Sequence, residues 1–279
     1  MTRPELDVLV EWAAAEGWNP GLGDADVFWD TDPAGFIAAE LDGEMIGGGS
    51  IVSYGGRFGF MGFFIIHPDH RGAGLGRELW SARRQLLLDR LDPGAPIGMD
   101  GVFAMQSFYE EGGFRLLHRD IRYEGPAPTG GGRRAAIGLV DAAEVDFADL
   151  DAYDRRHFPA PRPRFLERWI SQPGGNAVAA LTGGRIAGYG VARPCRVGHK
   201  IGPLFADDAE IAADLFYSLC GRLDGGRVQI DVPECNPAGS ALVQRHGFTE
   251  VFGCARMVLG PTPELPRGEI FAVTTFELG

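Results

Sequence analysis

The residues best suited to chemistry lie in one short run, Ile65-Ile-His-Pro-Asp-His-Arg71-Gly-Ala-Gly74-Leu-Gly76-Arg77. An apolar stretch precedes it, and Leu75, Leu79, Ala82 and Leu86 follow at helical spacing. A Gly-rich turn is therefore expected between a buried strand and a helix N-terminus. Glycine lets the backbone approach a ligand closely, and the first helical turn carries N–H groups with no partner inside the helix. With the helix dipole, these groups make a cradle for a phosphate. A P-loop requires Gly-Lys-Ser/Thr, whereas Gly76 is followed by Arg77 and Glu78. A Rossmann turn requires GxGxxG, whereas Gly72, Gly74 and Gly76 are spaced GxGxG. Its ribose-binding acid should also close a second strand, while Asp89 and Asp92 fall near a helix end.

Arg71, Gly74 and Gly76 fill every fixed position of Arg/Gln-x-x-Gly-x-Gly/Ala, and in this the run resembles the GNAT acetyltransferase signature. Tyr109-Glu-Glu-Gly-Gly113-Phe114 resembles the Tyr-x-x-x-Gly-Phe element that follows the next strand in that family. The resemblance covers residues 1–125, and the complete chain resembles bacterial tandem-GNAT proteins with a divergent second domain. It implies acetyl-CoA as co-substrate, held by the amides of Arg71, Gly72, Ala73, Gly74, Leu75, Gly76 and Arg77. The pantetheine arm would lie along the strand edge at Ile65 and Ile66. The implied reaction is N-acetylation of a small-molecule primary amine by direct attack on the thioester, with no covalent enzyme intermediate. Tyr109 takes the role of acid to the departing thiolate, because a phenol with pKa ~10 can protonate a thiolate whose acid has pKa ~8.5.

Asp100, at the end of the preceding strand, is the candidate base, acting through a water. Its internal counterpart Asp231 argues instead for a role in the fold. Trp18, Asp24, Asp26 and Phe28 occupy the region where the family contacts its acceptor. With Asp30 and Asp32 the acids form a cluster suited to a cationic amine. A solvated acidic loop and core aromatics are the plain alternatives. One departure from the family is that Val102 and Met105 stand where an Asn and a small residue often precede the Tyr element. Two other functions fit the same residues: a non-catalytic acyl-CoA-binding sensor, and a protein-lysine acetyltransferase.

The elements that must hold these residues are readable in outline. Glu5 to Ala15 has helical periodicity, and Trp18 to Asp24 reads as irregular. Phe36 to Leu41 and Met45 to Ser53 flank an Asp42-Gly43 hairpin turn. Phe58 to Ile66 reads as a central strand, Leu75 to Asp89 as an amphipathic helix and Ile97 to Ala104 as a strand. Ser107 and Glu110 have capping-box spacing. The second half repeats the theme with strands at 177–181, 186–193 and 228–232 and a helix at 209–223. The fold class expected is α/β, two tandem GNAT-like domains, each a mixed sheet flanked by helices.

Length and charge agree with two domains. The 279 residues carry a formal net charge of -12, which argues against nucleic-acid or anionic-membrane partners. Residues 1–130 hold 20 acidic and 10 basic residues and residues 131–279 hold 18 and 16, so the excess sits in the first half. Gly113-Phe114 and Gly247-Phe248 mark a weak internal repeat. The expected boundaries are a catalytic domain at 1–125, a Gly/Pro-rich linker at 126–134 and a degenerate domain at 135–279. The segment Lys200 to Asp208 stands where the cradle would recur, without Arg-x-x-Gly-x-Gly, and Val243 stands at the Tyr position. The four cysteines form no CxxC pair, so no metal site is suggested. With no secretory signal or apolar span, a reducing cytoplasm is the expected home. The expected partners are a small-molecule amine, neither nucleic acid nor membrane, and a homodimer as an allowed assembly.

Overall fold

The computed structural model describes residues 1–128, 137–223 and 225–279. The first half runs α1 (Arg3–Ala15), α2 (Asp24–Thr31), β1 (Phe36–Leu41), β2 (Glu44–Tyr54), β3 (Phe58–Ile66), α3 (Leu75–Leu88), β4 (Ile97–Val102), α4 (Gln106–Glu111) and β5 (Arg115–Pro126). The second begins with β6 (Gly138–Asp141), α5 (Phe147–Asp154), α6 (Pro163–Ile170), β7 (Asn176–Thr182), β8 (Arg185–Pro194) and β9 (His199–Ala206). It continues through α7 (Ala209–Cys220), β10 (Arg227–Pro233), α8 (Pro237–Gln244), β11 (Thr249–Leu259) and β12 (Ile270–Ala272).

Local chemistry accounts for most of these boundaries. A reciprocal capping box between Thr2 and Glu5 opens α1, which buries Leu6, Leu9, Val10 and Ala13. Asp42 and Gly43 both take positive φ, 52° and 85°, as the tight turn between β1 and β2 demands. β3 is buried along almost its whole length, as an interior strand must be. Two expectations are corrected. The irregular stretch after α1 ends at Gly23, and Asp24 and Asp26 lie beyond it in the first turn of α2, where the helix dipole favours acids. The capping box at Ser107 does not form, because α4 begins at Gln106 with Met105 before it and no side-chain cap.

The strands form one mixed sheet in the order β1-β2-β3-β4-β11-β5-β10-β9-β8-β7-β6, with β12 on β9. The two expected sheets are therefore continuous, and they are joined by exchange. β11 of the second half inserts between β4 and β5, while β5 of the first half lies against β10. A duplicated ion pair fastens both exchanged contacts. Arg256 of β11 is the register partner of Asp100 in β4, and Arg122 of β5 is the register partner of Asp231 in β10. Each guanidinium donates two hydrogen bonds to its carboxylate, at 2.6 and 2.6 Å for Asp100 and at 2.6 and 2.8 Å for Asp231. The largest apolar cluster also spans both halves, with Phe28 and Phe63 packed alongside Trp169, Tyr189 and Phe205. The expected linker falls largely, at residues 129–134, outside the described residues, and Pro126 belongs to β5.

Candidate active site

β3 and β4 pair in parallel only from Gly59 to Met61 against Ile97 to Met99, and then part. The parting coincides with a bulge, because the β2–β3 register shifts between Gly48 and Ser50 and Phe63 takes φ 51°. A left-handed conformation at a bulky residue is strained, and such strain persists only where the surroundings enforce it. Here Arg83 of α3 enforces it. Its Nη2 donates to the carbonyls of Ser50 and Gly62 at 2.5 and 2.7 Å, directly across the bulge. From behind, Phe28 meets Phe63 edge-on with centroids 5.8 Å apart.

The parted strands open a cavity of about 470 Å³. Its walls include Phe63, Phe64, Ile65 and Ile66 of β3, Asp100 and Val102 of β4, Met105, and Trp80 and Arg83 of α3. At one end the wall reaches Arg71, Gly72 and Gly76 of the Gly-rich turn, and Ala73, Gly74, Leu75 and Arg77 complete that turn and the start of α3. Gly72 and Gly74 take φ of 83° and 84°, conformations that a side chain would strain. No side chain caps α3; the Arg71 and Arg77 amides donate to the Pro68 and Gly74 carbonyls at 3.2 and 2.9 Å, and among the described residues those from Gly72 to Gly76 are left to a ligand or to water. Arg71 donates from Nε to the Ile66 carbonyl at 2.8 Å and also pairs with Glu16. Arg77 faces Glu111 at 3.4 Å. Both pairs are solvent-exposed and weak, so an anionic ligand can displace the carboxylates.

Tyr109 lies in the cavity wall and is only 4% exposed. Its ring rests on Gly101 of β4, where a Cβ would fall 2.3 Å from the ring. Burial pushes its phenol up to about 12, against the opposing charge of Arg83. The group is thus a proton donor throughout the neutral range. Asp100 also lines the cavity, but both its oxygens are held by Arg256. Burial, together with the charge of Asp120, raises its carboxyl to about 8 in spite of Arg256. Asp120 lies 3.5 Å from Arg256 and 3.3 Å from His118 Nε2.

Of the expected acceptor residues the structure brings only Trp18 to the cavity. Asp24 is fully buried in an ion pair with Arg193, at 2.8 Å, and receives the Gly21 amide at 2.8 Å. Asp26 points outward to Arg3, Asp30 pairs with Arg168 and Asp32 with Arg90. The acidic cluster is thereby consumed in four separate ion pairs rather than presented to a ligand. Phe28 is core, stacked on Trp169 at 6.1 Å. The second half was open to reading as the element that closes this cleft, but no motif singled out the residues with which it forms the far wall, Phe252, Cys254, Phe276 and Glu277. Gly62 and Gly101 also escaped notice, although unbroken β-pattern around a lone glycine is the usual sign of a close approach.

The corresponding place in the second half is closed. β9 and β10 also pair in parallel for a short stretch, His199 to Ile201 against Val228 to Ile230, and then part. The gap is filled by the chain itself: β12 pairs with β9, and the Val273 amide donates to the Asp231 carbonyl at 3.0 Å. At the N-terminus of α7 the Asp208 carboxylate accepts from the amides of Glu210 and Ile211 at 2.8 and 2.7 Å. The anion position at that helix is taken by the protein's own side chain.

A parallel strand pair that parts beside a helix N-terminus defines a GNAT-type acyltransferase half; the pattern occurs in both halves, open and uncapped in the first, filled and capped in the second. Comparison agrees: the acetyltransferase (GNAT) family matches residues 5–114, and an acetyltransferase (GNAT) domain matches residues 150–272. The chain belongs to the GNAT acetyltransferases, with two such domains in tandem, and is an acyltransferase that uses an acyl-CoA. It is 28% identical over 283 aligned positions to the holothin acyltransferase of Pseudoalteromonas sp. (strain SANK 73390), covering 99% of this chain and 92% of that one. It is 26% identical over 178 positions to the uncharacterized N-acetyltransferase YitH of Bacillus subtilis (strain 168), covering 64% and 61%. In fold it is similar to a Pyrococcus horikoshii protein assigned to the acetyltransferases, with TM-score 0.83, 21% identity and coverage of 100% and 94%. It is also similar to a tandem GNAT protein from the clavulanic acid biosynthesis pathway, with TM-score 0.64, 14% identity and coverage of 95% and 98%. Among the described residues no helix is long and apolar enough to cross a membrane.

Proposed function

We propose that the first-half cavity transfers an acetyl group from acetyl-CoA to the primary amine of a small molecule. The observation that carries this reading is the contrast between the halves. One has an uncapped helix N-terminus and a buried tyrosine in an open cleft, whereas the other has Asp208 on its helix and its own chain in the gap. In this reading the amides from Gly72 to Gly76, flanked by the Arg71 and Arg77 side chains, hold the pyrophosphate, and the pantetheine arm follows the β3 edge at Ile65 and Ile66. An amide at the bulge polarises the thioester carbonyl as an oxyanion donor. Tyr109 protonates the sulfur as the C–S bond breaks. The burial that raises its pKa acts equally on a thiolate released in the same cavity, so the transfer stays matched.

The cavity's mixed lining supports a small acceptor with an apolar body. Trp18, Met105, Phe252 and Phe276 wall it, with a few carboxylates between. We assign residues 1–125 and 135–279 to two domains that share one sheet through exchanged strands, only the first being catalytic. The test is an acetyl-CoA consumption screen over amino acids, polyamines, aminoglycosides and arylalkylamines, with products identified by mass. An acetylated amine supports the proposal. Tight acetyl-CoA binding with no acetylated product would favour the sensor reading.

A further inference from the structure

The chain's closing segment reaches across the sheet to the reacting end of the cleft. At Gly62, beside the bulge, a Cβ would fall 2.1 Å from the Glu277 carbonyl oxygen. Ser50 ties the two together: its Oγ accepts from the Gly62 amide at 3.0 Å and donates to the Glu277 carbonyl at 3.2 Å. Glu277 is 4% exposed and lines the cavity. Thr275 donates its hydroxyl to Oε2, whereas Oε1 has no hydrogen-bond partner among the described residues. The other carboxylates of the cavity are committed. Asp100 has both oxygens on Arg256, and Glu16 is exposed and paired with Arg71.

Charge balance explains why an acid is kept there. Arg122, Arg193 and Lys200 are buried together behind the wall and all interact with Glu277. Asp231 answers Arg122 and Asp24 answers Arg193, whereas the hydrogen bonds of Lys200 among the described residues go to the neutral Trp18 and Asn19 carbonyls, at 3.4 and 3.1 Å. Glu277 is the carboxylate that completes the balance, so an anion at this position is compatible with burial.

Building on the reaction just proposed, we propose that Glu277, supplied by the second half, is the general base that deprotonates the acceptor amine. The ammonium docks on Oε1 and gives up a proton, which leaves through the cavity mouth to solvent. The freed nitrogen lone pair adds to the thioester carbon held at the bulge. The adduct loses its second N–H proton to Glu277 as the C–S bond breaks and Tyr109 gives its proton to sulfur. Solvent returns the Glu277 proton to the Tyr109 oxygen, so the turnover yields amide, free thiol and one net proton.

The test compares wild type with Glu277→Gln and Glu277→Asp. The acceptor is 2-phenylethylamine, or, if that is not acetylated, the amine of the screen turned over fastest. For Glu277→Gln we expect kcat at neutral pH to fall about 100-fold and then rise roughly tenfold per pH unit as free amine accumulates. Acetyl-CoA affinity should stay within about twofold, and Glu277→Asp should keep the wild-type shape of the pH profile at a lower rate. A Glu277→Gln rate within about threefold of wild type at every pH overturns the inference. So does loss of acetyl-CoA binding in both variants, which would mark a structural role. Failure of wild type on every amine overturns the proposed function itself.

Discussion

The side chains that matter are defined by what holds them. The acid role proposed for Tyr109 rests on the room β4 leaves for its ring over Gly101 and on the burial that keeps it protonated. Tyr109→Phe is therefore expected to lower kcat by about 10²-fold or more, with acetyl-CoA affinity unchanged, measured by initial rates and titration calorimetry. With its pKa near 12, the wild-type rate should show no alkaline fall between about pH 8 and 10, since the phenol titrates well above that window. Asp100 was readable as a candidate base from its place before the Tyr element. Its duplication at Asp231 pointed the other way, and the geometry follows the duplication, because each aspartate is the register partner of an arginine on an exchanged strand. The matching Arg122 and Arg256 were open to the same comparison and complete the signal. Glu277 carried no such signal, since nothing in Thr274-Thr-Phe-Glu277 indicates which cleft it enters.

Elements were readable where a periodic pattern coincided with a turn, and their pairing was not. β3 occupies the span expected for it, and α3 ends one residue short. A period-2 pattern, however, says which residues share a face, not which strand lies alongside. β5 and β11 satisfy their own half or the other equally well by that criterion. The exchanged contacts rest on buried ion pairs, so removing one partner strands a charge. Arg122→Met should destabilise the protein by about 3–5 kcal/mol in urea titration. In the mirror pair the consequence appears in pH. Burial lowers the His118 pKa, but its hydrogen bond to Asp120, a contact with Cys235 and the Asp120 charge outweigh that and raise it to about 9. A raised histidine stabilises fully below its unfolded pKa of ~6.5 and loses that contribution as pH climbs through its folded value. Tm should thus decline between about pH 6.5 and 9, and His118→Gln should flatten that decline.

At the scale of the molecule, the strand exchange makes the two halves one cooperative unit. They share a sheet and the largest apolar cluster, so unfolding in calorimetry is expected to be a single transition whose van't Hoff and calorimetric enthalpies agree. Two separated transitions would mean that the halves are thermodynamically independent. The acidic excess of the first half also takes a different meaning in three dimensions. The aspartates of the first 32 residues are spent on arginines, two of which, Arg168 and Arg193, come from the second half. The excess therefore helps to bind the halves together, and in the proposed reaction the acceptor is left to the aromatic walls and to Glu277. The second half, its own cleft filled, lends Phe276 and Glu277 to the cavity wall of the first, which is the structural partnership the proposal requires.

Titration calorimetry with acetyl-CoA tests that division of labour most directly. The account predicts one site per chain in the wild type. It predicts loss of that site in Gly74→Asp, which puts a charged side chain at φ 84° in the cradle. Two sites per chain, or undiminished binding in Gly74→Asp, would contradict it.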